Sequence, residues 1–168
     1  PEFSEGLRGF AANQRTHSAY FSTQGPRIGA FDLETDQITW QQNYQLGSDR
    51  SSVTLDGSKV YVPTGWWVDG DDSGLLVLNG DDGKIIKHIP IGEKAHNSLV
   101  SVDGRYVYLG TTRMLTMLDT ENESIVAQIS PVGEAGGQGV FPYTVDSANR
   151  IAYVSLGSTV GFDVVDLE

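Results

Sequence analysis

The stretch VSVDGRYVYLGTTRMLTMLDTENESIV, residues 100–126, carries the reading of the whole chain. It opens with a short apolar segment and turns at Asp103-Gly104. The next segment contains Tyr106-Val107-Tyr108-Leu109, and a third ends at Leu118-Asp119-Thr120. An acidic loop then leads to Ile125-Val126. Asp-Gly between apolar runs is a strong hairpin signal, because the turn needs residues that accept positive φ. Tyr106 to Leu109 is apolar at every position, so both faces of that strand should be covered. The unit is therefore a small antiparallel sheet with neighbours on either side.

The unit recurs. Its first turn registers at Asn13, Asp56, Asp103 and Asp146, spaced by 43, 47 and 43 residues. Asn13-Gln-Arg-Thr-His-Ser-Ala-Tyr-Phe-Ser aligns without a gap on Asp146-Ser-Ala-Asn-Arg-Ile-Ala-Tyr-Val-Ser. The second turn registers in FDLETDQI from Phe31, LNGDDGKI from Leu78 and LDTENESI from Leu118. No helical period of useful length survives anywhere. A period in the forties with four short strands per copy predicts an all-β β-propeller. Four four-stranded antiparallel blades span residues 6–43, 49–90, 96–130 and 139–168, the last without its fourth strand. The expected inner strands are a weak one around Phe10–Ala12, then Ser51–Leu55, Ser98–Val102 and Val140–Val145.

Residues 100–134, VSVDGRYVYLGTTRMLTMLDTENESIVAQISPVGE, resemble the YVTN-type β-propeller repeat, whose pattern runs roughly "PH-G-VAVSPDG-KYVYVTN…VSVIDLATGKVVATIPVG". The resemblance extends over nearly the whole chain and is best in copies two to four. Ala95-His96-Asn97 departs from the usual Pro-His-Gly, and copies two and four carry no His at that place. It implies a ring of seven or eight blades, so either this chain is part of a longer polypeptide or two copies close one ring as a homodimer. An open row of blades would leave apolar faces in water. The resemblance further implies a periplasmic or extracellular location. It admits a non-catalytic binding or scaffold propeller, a lactonase-like hydrolase, or a propeller subunit of an amine dehydrogenase-like redox complex.

Composition narrows the classes. The 168 residues are 39% hydrophobic, enough for a real core, and carry a net charge of −11. With no basic stripe, such a chain is not expected to bind nucleic acid. No apolar run approaches the length of a membrane span, so a soluble chain without membrane insertion is expected. Cysteine is absent, which removes disulfides, thiolate metal sites and a Cys nucleophile. Pro1-Glu2-Phe3-Ser4 has no charged segment leading into an apolar one, so no signal peptide is predicted.

Candidate site residues follow from the propeller register, where the inner strands line the axis. The entry column reads Gly6, Asp49, His96 and Gly139; beside it run Leu7, Arg50, Asn97 and Val140, then Arg8, Ser51, Ser98 and Phe141. Asp49, Arg50 and His96 are the catalytic candidates, and His96 has the pKa range of a general base. A loop-fixing hydrogen-bonding role for His96 outweighs catalysis. Arg50, His96, Asn97, Trp66 and Trp67 are the ligand-binding candidates, because an exposed Trp holds a sugar ring or a cation. The tryptophans are adjacent on a strand, so one should pack inward and one outward. His17 and His88 should be exposed and remote from His96, so a His-based zinc site is not expected.

Asp69, Asp71 and Ser73, followed by Gly74, fit the start of an oxygen-donor calcium loop. The acidic residue due at the twelfth position is replaced by Gly80, which favours a plain acidic loop. No cofactor is expected beyond that calcium. No nucleophile elbow, P-loop or dinucleotide fingerprint occurs; GEAGGQG at 133–139 lacks Lys and a following helix. The reading is a non-catalytic propeller that binds a protein or a small molecule.

Overall fold

The computed structural model describes residues 6–67, 72–130, 139–156 and 160–168. Among them are fifteen strands and no helix. The first sheet comprises β1 (Leu7–Asn13), β2 (Ser18–Thr23), β3 (Arg27–Asp32) and β4 (Gln37–Asn43). The second comprises β5 (Ser52–Val53), β6 (Lys59–Pro63), β7 (Gly74–Asn79) and β8 (Ile85–Pro90). The third comprises β9 (Ala95–Val100), β10 (Tyr106–Thr111), β11 (Leu115–Asp119) and β12 (Ser124–Ile129). The fourth holds β13 (Val140–Asp146), β14 (Ile151–Leu156) and β15 (Phe162–Asp166). Within each sheet the spatial order is the chain order, as in an antiparallel meander. The chain divides into two compact units, Pro1–Ser98 and Leu99–Glu168.

Burial follows strand position. β6 and β7 are buried almost end to end, which is why Val60-Tyr61-Val62 and Leu75-Leu76-Val77-Leu78 do not alternate with polar residues. The outermost strand β4 buries only Trp40. In the first unit Tyr20, Ile28, Ala30, Trp40 and Tyr44 form one core with Val60, Val62, Leu76 and Leu78. In the second, Tyr108 and Leu115 pack with Val140, Ala152, Val154, Val165 and Leu167. A bulge interrupts the pairing of third and fourth strands at Ala30/Phe31, Val77/Leu78 and Met117/Leu118. It adds one residue and bends the outer strand in each of these sheets.

Three of the four inner strands depart from expectation, whereas β13 matches the expected Val140–Val145 to within one residue. β1 is a full strand, β5 has two residues, and β9 starts three residues early. Side-chain hydroxyls explain where the inner strands of sheets two and three stop. Thr54 Oγ1 donates to Asp56 Oδ1 at 2.6 Å and accepts from the Lys59 N–H at 3.0 Å. Ser101 Oγ donates to Asp103 Oδ1 at 2.5 Å and accepts from the Tyr106 N–H at 2.9 Å. These bonds draw residues 54–55 and 101–102 into the turn, and Val102 is left 83% exposed.

Candidate functional site

The first unit brings its inner-strand entrances together through the backbone. The Asp49 N–H donates to Pro63 O at 3.1 Å, and its own carbonyl accepts from Ser22 Oγ at 2.7 Å. Arg50 pairs with Asn97, and Gly65 with Ala95, in parallel bridges. The Ser98 N–H donates to Arg50 O at 3.0 Å, and Ser98 Oγ to Tyr61 O at 2.9 Å. On the other side, Gly9 lies so close that a Cβ there would come within 2.7 Å of Arg50 Cα and of Ser22 Oγ. Glycine at position 9 therefore lets β1 touch the Asp49-Arg50 segment, which brings its neighbour Arg8 to the same place.

The side chains then assemble in a row. Arg50 Nη1 is 3.4 Å from both ring nitrogens of His96. A nitrogen equidistant from both cannot lie in the ring plane without striking the carbon between them, so the guanidinium rests on the face of the imidazole, a stacking that suits its planar charge. Trp66 meets the His96 ring edge-on, with centroids 4.7 Å apart at 82°. Asp49 Oδ2 is 4.0 Å from His96 Nε2, beyond hydrogen-bonding distance. Arg8 sits over the Trp67 ring, 4.4 Å from its centroid. Trp67 is exposed, Trp66 half-buried and Arg50 exposed, whereas Asp49 and His96 are buried.

Burial sets the charges of this row. It pushes the Asp49 carboxyl up to about 6 against the pull of the Arg50 N–H, the Arg50 and Arg8 guanidiniums and the Trp67 indole. Asp49 Oδ1 accepts the Arg50 N–H at 2.9 Å, but Oδ2 is buried without a hydrogen-bond partner in bonding geometry. The indole thus offsets charge without closing a bond. Burial, reinforced by Arg50, lowers the His96 imidazole to about 4, and Asn97 opposes this weakly. At neutral pH the row holds Arg8⁺, Arg50⁺, Asp49⁻ and a neutral His96.

The candidates Asp49, Arg50, His96, Asn97, Trp66 and Trp67 thus share one locus. Neither tryptophan belongs to the buried core. Arg8 was not among the candidates; in the register it stands beside Ser51 and Ser98, and only the close approach at Gly9 reveals it. His17 is exposed and contacts Glu34. His88 differs from expectation in being half-buried, its Nε2 2.8 Å from Asp72 O. For the calcium loop, Asp69 and Asp71 lie outside the described residues, as does most of residues 133–139. Ser73 is buried at 2% exposure. Among the described residues no three His, Asp or Glu side chains are grouped to hold a metal, and no helix is long and apolar enough to cross a membrane.

Antiparallel meanders packed in pairs, the first sheet on the second and the third on the fourth, with Arg50 and Asn97 bridged in parallel, are the blades of a β-propeller. Solved propellers agree. BamB from Moraxella catarrhalis superposes with a TM-score of 0.77 at 18% identity, over 99% of this chain and 48% of that one. The dihydro-heme d1 dehydrogenase NirN, solved in complex with DHE, gives 0.76 at 16% identity, over 97% and 35%. The β-propeller domain of Cps50 (Swd1) from Myceliophteria thermophila gives 0.71 at 9%, over 93% and 50%. The chain thus spans half or less of each of these structures. No family model and no curated protein sequence matches it.

Proposed function

We propose that this chain is part of a non-catalytic binding propeller of the YVTN type, with its ligand face at the inner-strand entrance formed by Arg8, Asp49, Arg50, Trp66, Trp67, His96 and Asn97. The observation that carries this reading is the guanidinium lying on the His96 ring. A general base needs an accessible nitrogen and a pKa near the working pH. His96 is 6% exposed, is lowered to about 4 and is covered by a cation. Exposed Arg and Trp beside a buried polar floor suit recognition instead. The acidic chain disfavours nucleic acid as the partner, and the repeat resemblance favours a periplasmic or extracellular setting.

A lactonase-like hydrolase is the second reading, favoured by the 4.0 Å approach of Asp49 to His96. A lactone panel separates the two. Hydrolysis at background rates, unchanged in His96→Ala and Arg50→Ala, is expected; turnover that falls in both variants would sink the binding reading. Calcium binding at Asp69, Asp71 and Ser73 is tested by melting in calcium against chelator, where an unchanged Tm counts against it.

A further inference from the structure

We propose that the ligand of this entrance is a small organic carboxylate carrying a ring, its carboxylate held by Arg50 with Arg8 beside it and its ring body against Trp67; this rests on the binding reading above. Among the described residues, the only hydrogen-bond contacts of the Arg50 guanidinium run from Nη1 to the His96 ring. Its remaining N–H groups are therefore free for a planar anion, which matches their fork geometry. The guanidinium is already parked on the imidazole face, so little rotamer freedom remains to be lost on binding. Arg8 brings a second cation to the same place, since Gly9 lies against Arg50 Cα. Two guanidiniums against one carboxylate make this spot positive on a chain of net charge −11. An anion is thus drawn here and repelled from the surface at large. Trp67, 38% exposed, supplies an apolar face for a ring.

Asp49 is the counter-charge rather than a ligand group, because its Oδ2 is buried. The groups facing it are Arg8 from β1, Trp67 after β6, His96 from β9 and its neighbour Arg50. As pH falls through about 6 the carboxylate takes up a proton while His96 stays neutral until about 4. The local charge then rises by one, and anion affinity with it.

The test titrates the chain with benzoate, glucuronate, inorganic phosphate and glucose, following Trp fluorescence and heat of binding. Benzoate or glucuronate should bind at pH 7, phosphate more weakly and glucose not at all. The affinity should rise about three- to tenfold at pH 5, where both carboxylates remain ionised. Arg50→Lys, which keeps the charge but loses the fork, should weaken binding about tenfold. Asp49→Asn should bind more tightly at pH 7 and lose the pH response, with far-UV circular dichroism verifying both folds. Glucose binding as well as glucuronate, an unaffected Arg50→Lys, or no binding by either carboxylate overturns the carboxylate assignment. His96-dependent lactone turnover would instead overturn the binding reading beneath it.

Discussion

The two ends of each repeat are built by opposite rules. At the turn end the same device recurs in sheet after sheet. Asp32 Oδ1 accepts the N–H groups of Glu34 and Thr35, Asn79 Oδ1 that of Asp81, and Asp119 Oδ1 those of Glu121 and Asn122. The fourth residue after each cap takes positive φ: Asp36 at 56°, Gly83 at 71° and Glu123 at 57°. His17 at 51° and Arg150 at 54° repeat the geometry four residues after Asn13 and Asp146. At the entrance end the shared device is lost: the column holds glycine in the first and fourth sheets but aspartate in the second and histidine in the third. Repetition marks what every sheet needs in order to fold. The departures from it gather the charged row.

Four perturbations would break or sharpen this contrast. The largest should come from Trp40→Ala. Trp40 is buried, and its Nε1 donates to Gly80 O at 2.8 Å. Its loss leaves a cavity and an orphaned carbonyl, at a cost of about 3–5 kcal/mol in urea unfolding. Next is Gly9→Ala, where the new Cβ meets the Arg50 backbone at 2.7 Å; a loss of about 1–3 kcal/mol is expected. Gly6→Ala is the control, since nothing lies within 4 Å of its Cβ, and its unfolding midpoint should barely move.

Third is the pH dependence of stability. Asp49 is raised from 3.8 to about 6 in the folded state, so its contribution is full below pH 3.8 and is lost as pH rises through 6. His96 is lowered from 6.5 to about 4, so its contribution is full above pH 6.5 and is lost as pH falls through 4. Between pH 4 and 6 the slopes oppose and nearly cancel. Asp49→Asn should therefore make stability rise across that window, and His96→Gln should make it fall. Parallel curves for both variants and the parent would mean that neither group is perturbed. The smallest effect is expected from Asp36→Gly. Asp36 is exposed in the left-handed region, so glycine should stabilise by up to about 1 kcal/mol, read from the urea midpoint.

The turn end is also the part legible in the sequence. Turn chemistry is local, and Asp-Gly at 56–57 and 103–104 or the acidic loop after Leu118 announce it directly. Strands such as Gln37–Asn43 and Leu115–Asp119 lie where the pattern puts them. The entrance was half legible. Asp49, Arg50 and His96 follow from register alone, but Arg8 depends on a non-local approach that a single glycine permits. The inner strands of the second and third sheets end earlier than the hydrophobic pattern suggests, because hydroxyl bonds at Thr54 and Ser101 draw the chain into the turn.

A last consequence lies in how one sheet holds another. In the first unit Asn13 reaches Thr54 O, Tyr20 reaches Gly57 O, Trp40 reaches Gly80 O and Tyr44 reaches Gly83 O. In the second, Tyr143 donates to Tyr108 O at 2.9 Å. In every case the accepting atom is a peptide carbonyl, which all twenty residue types possess. At three of these points the acceptor is a glycine, and a Cβ on Gly57, Gly80 or Gly83 would come within 2.4 Å of Thr16, 1.9 Å of Gly57 O or 2.6 Å of the Trp40 ring, so the grip asks the neighbour for a bare backbone rather than for a particular side chain. None of these bonds touches an entrance residue, so an arginine or a histidine there leaves this grip undisturbed.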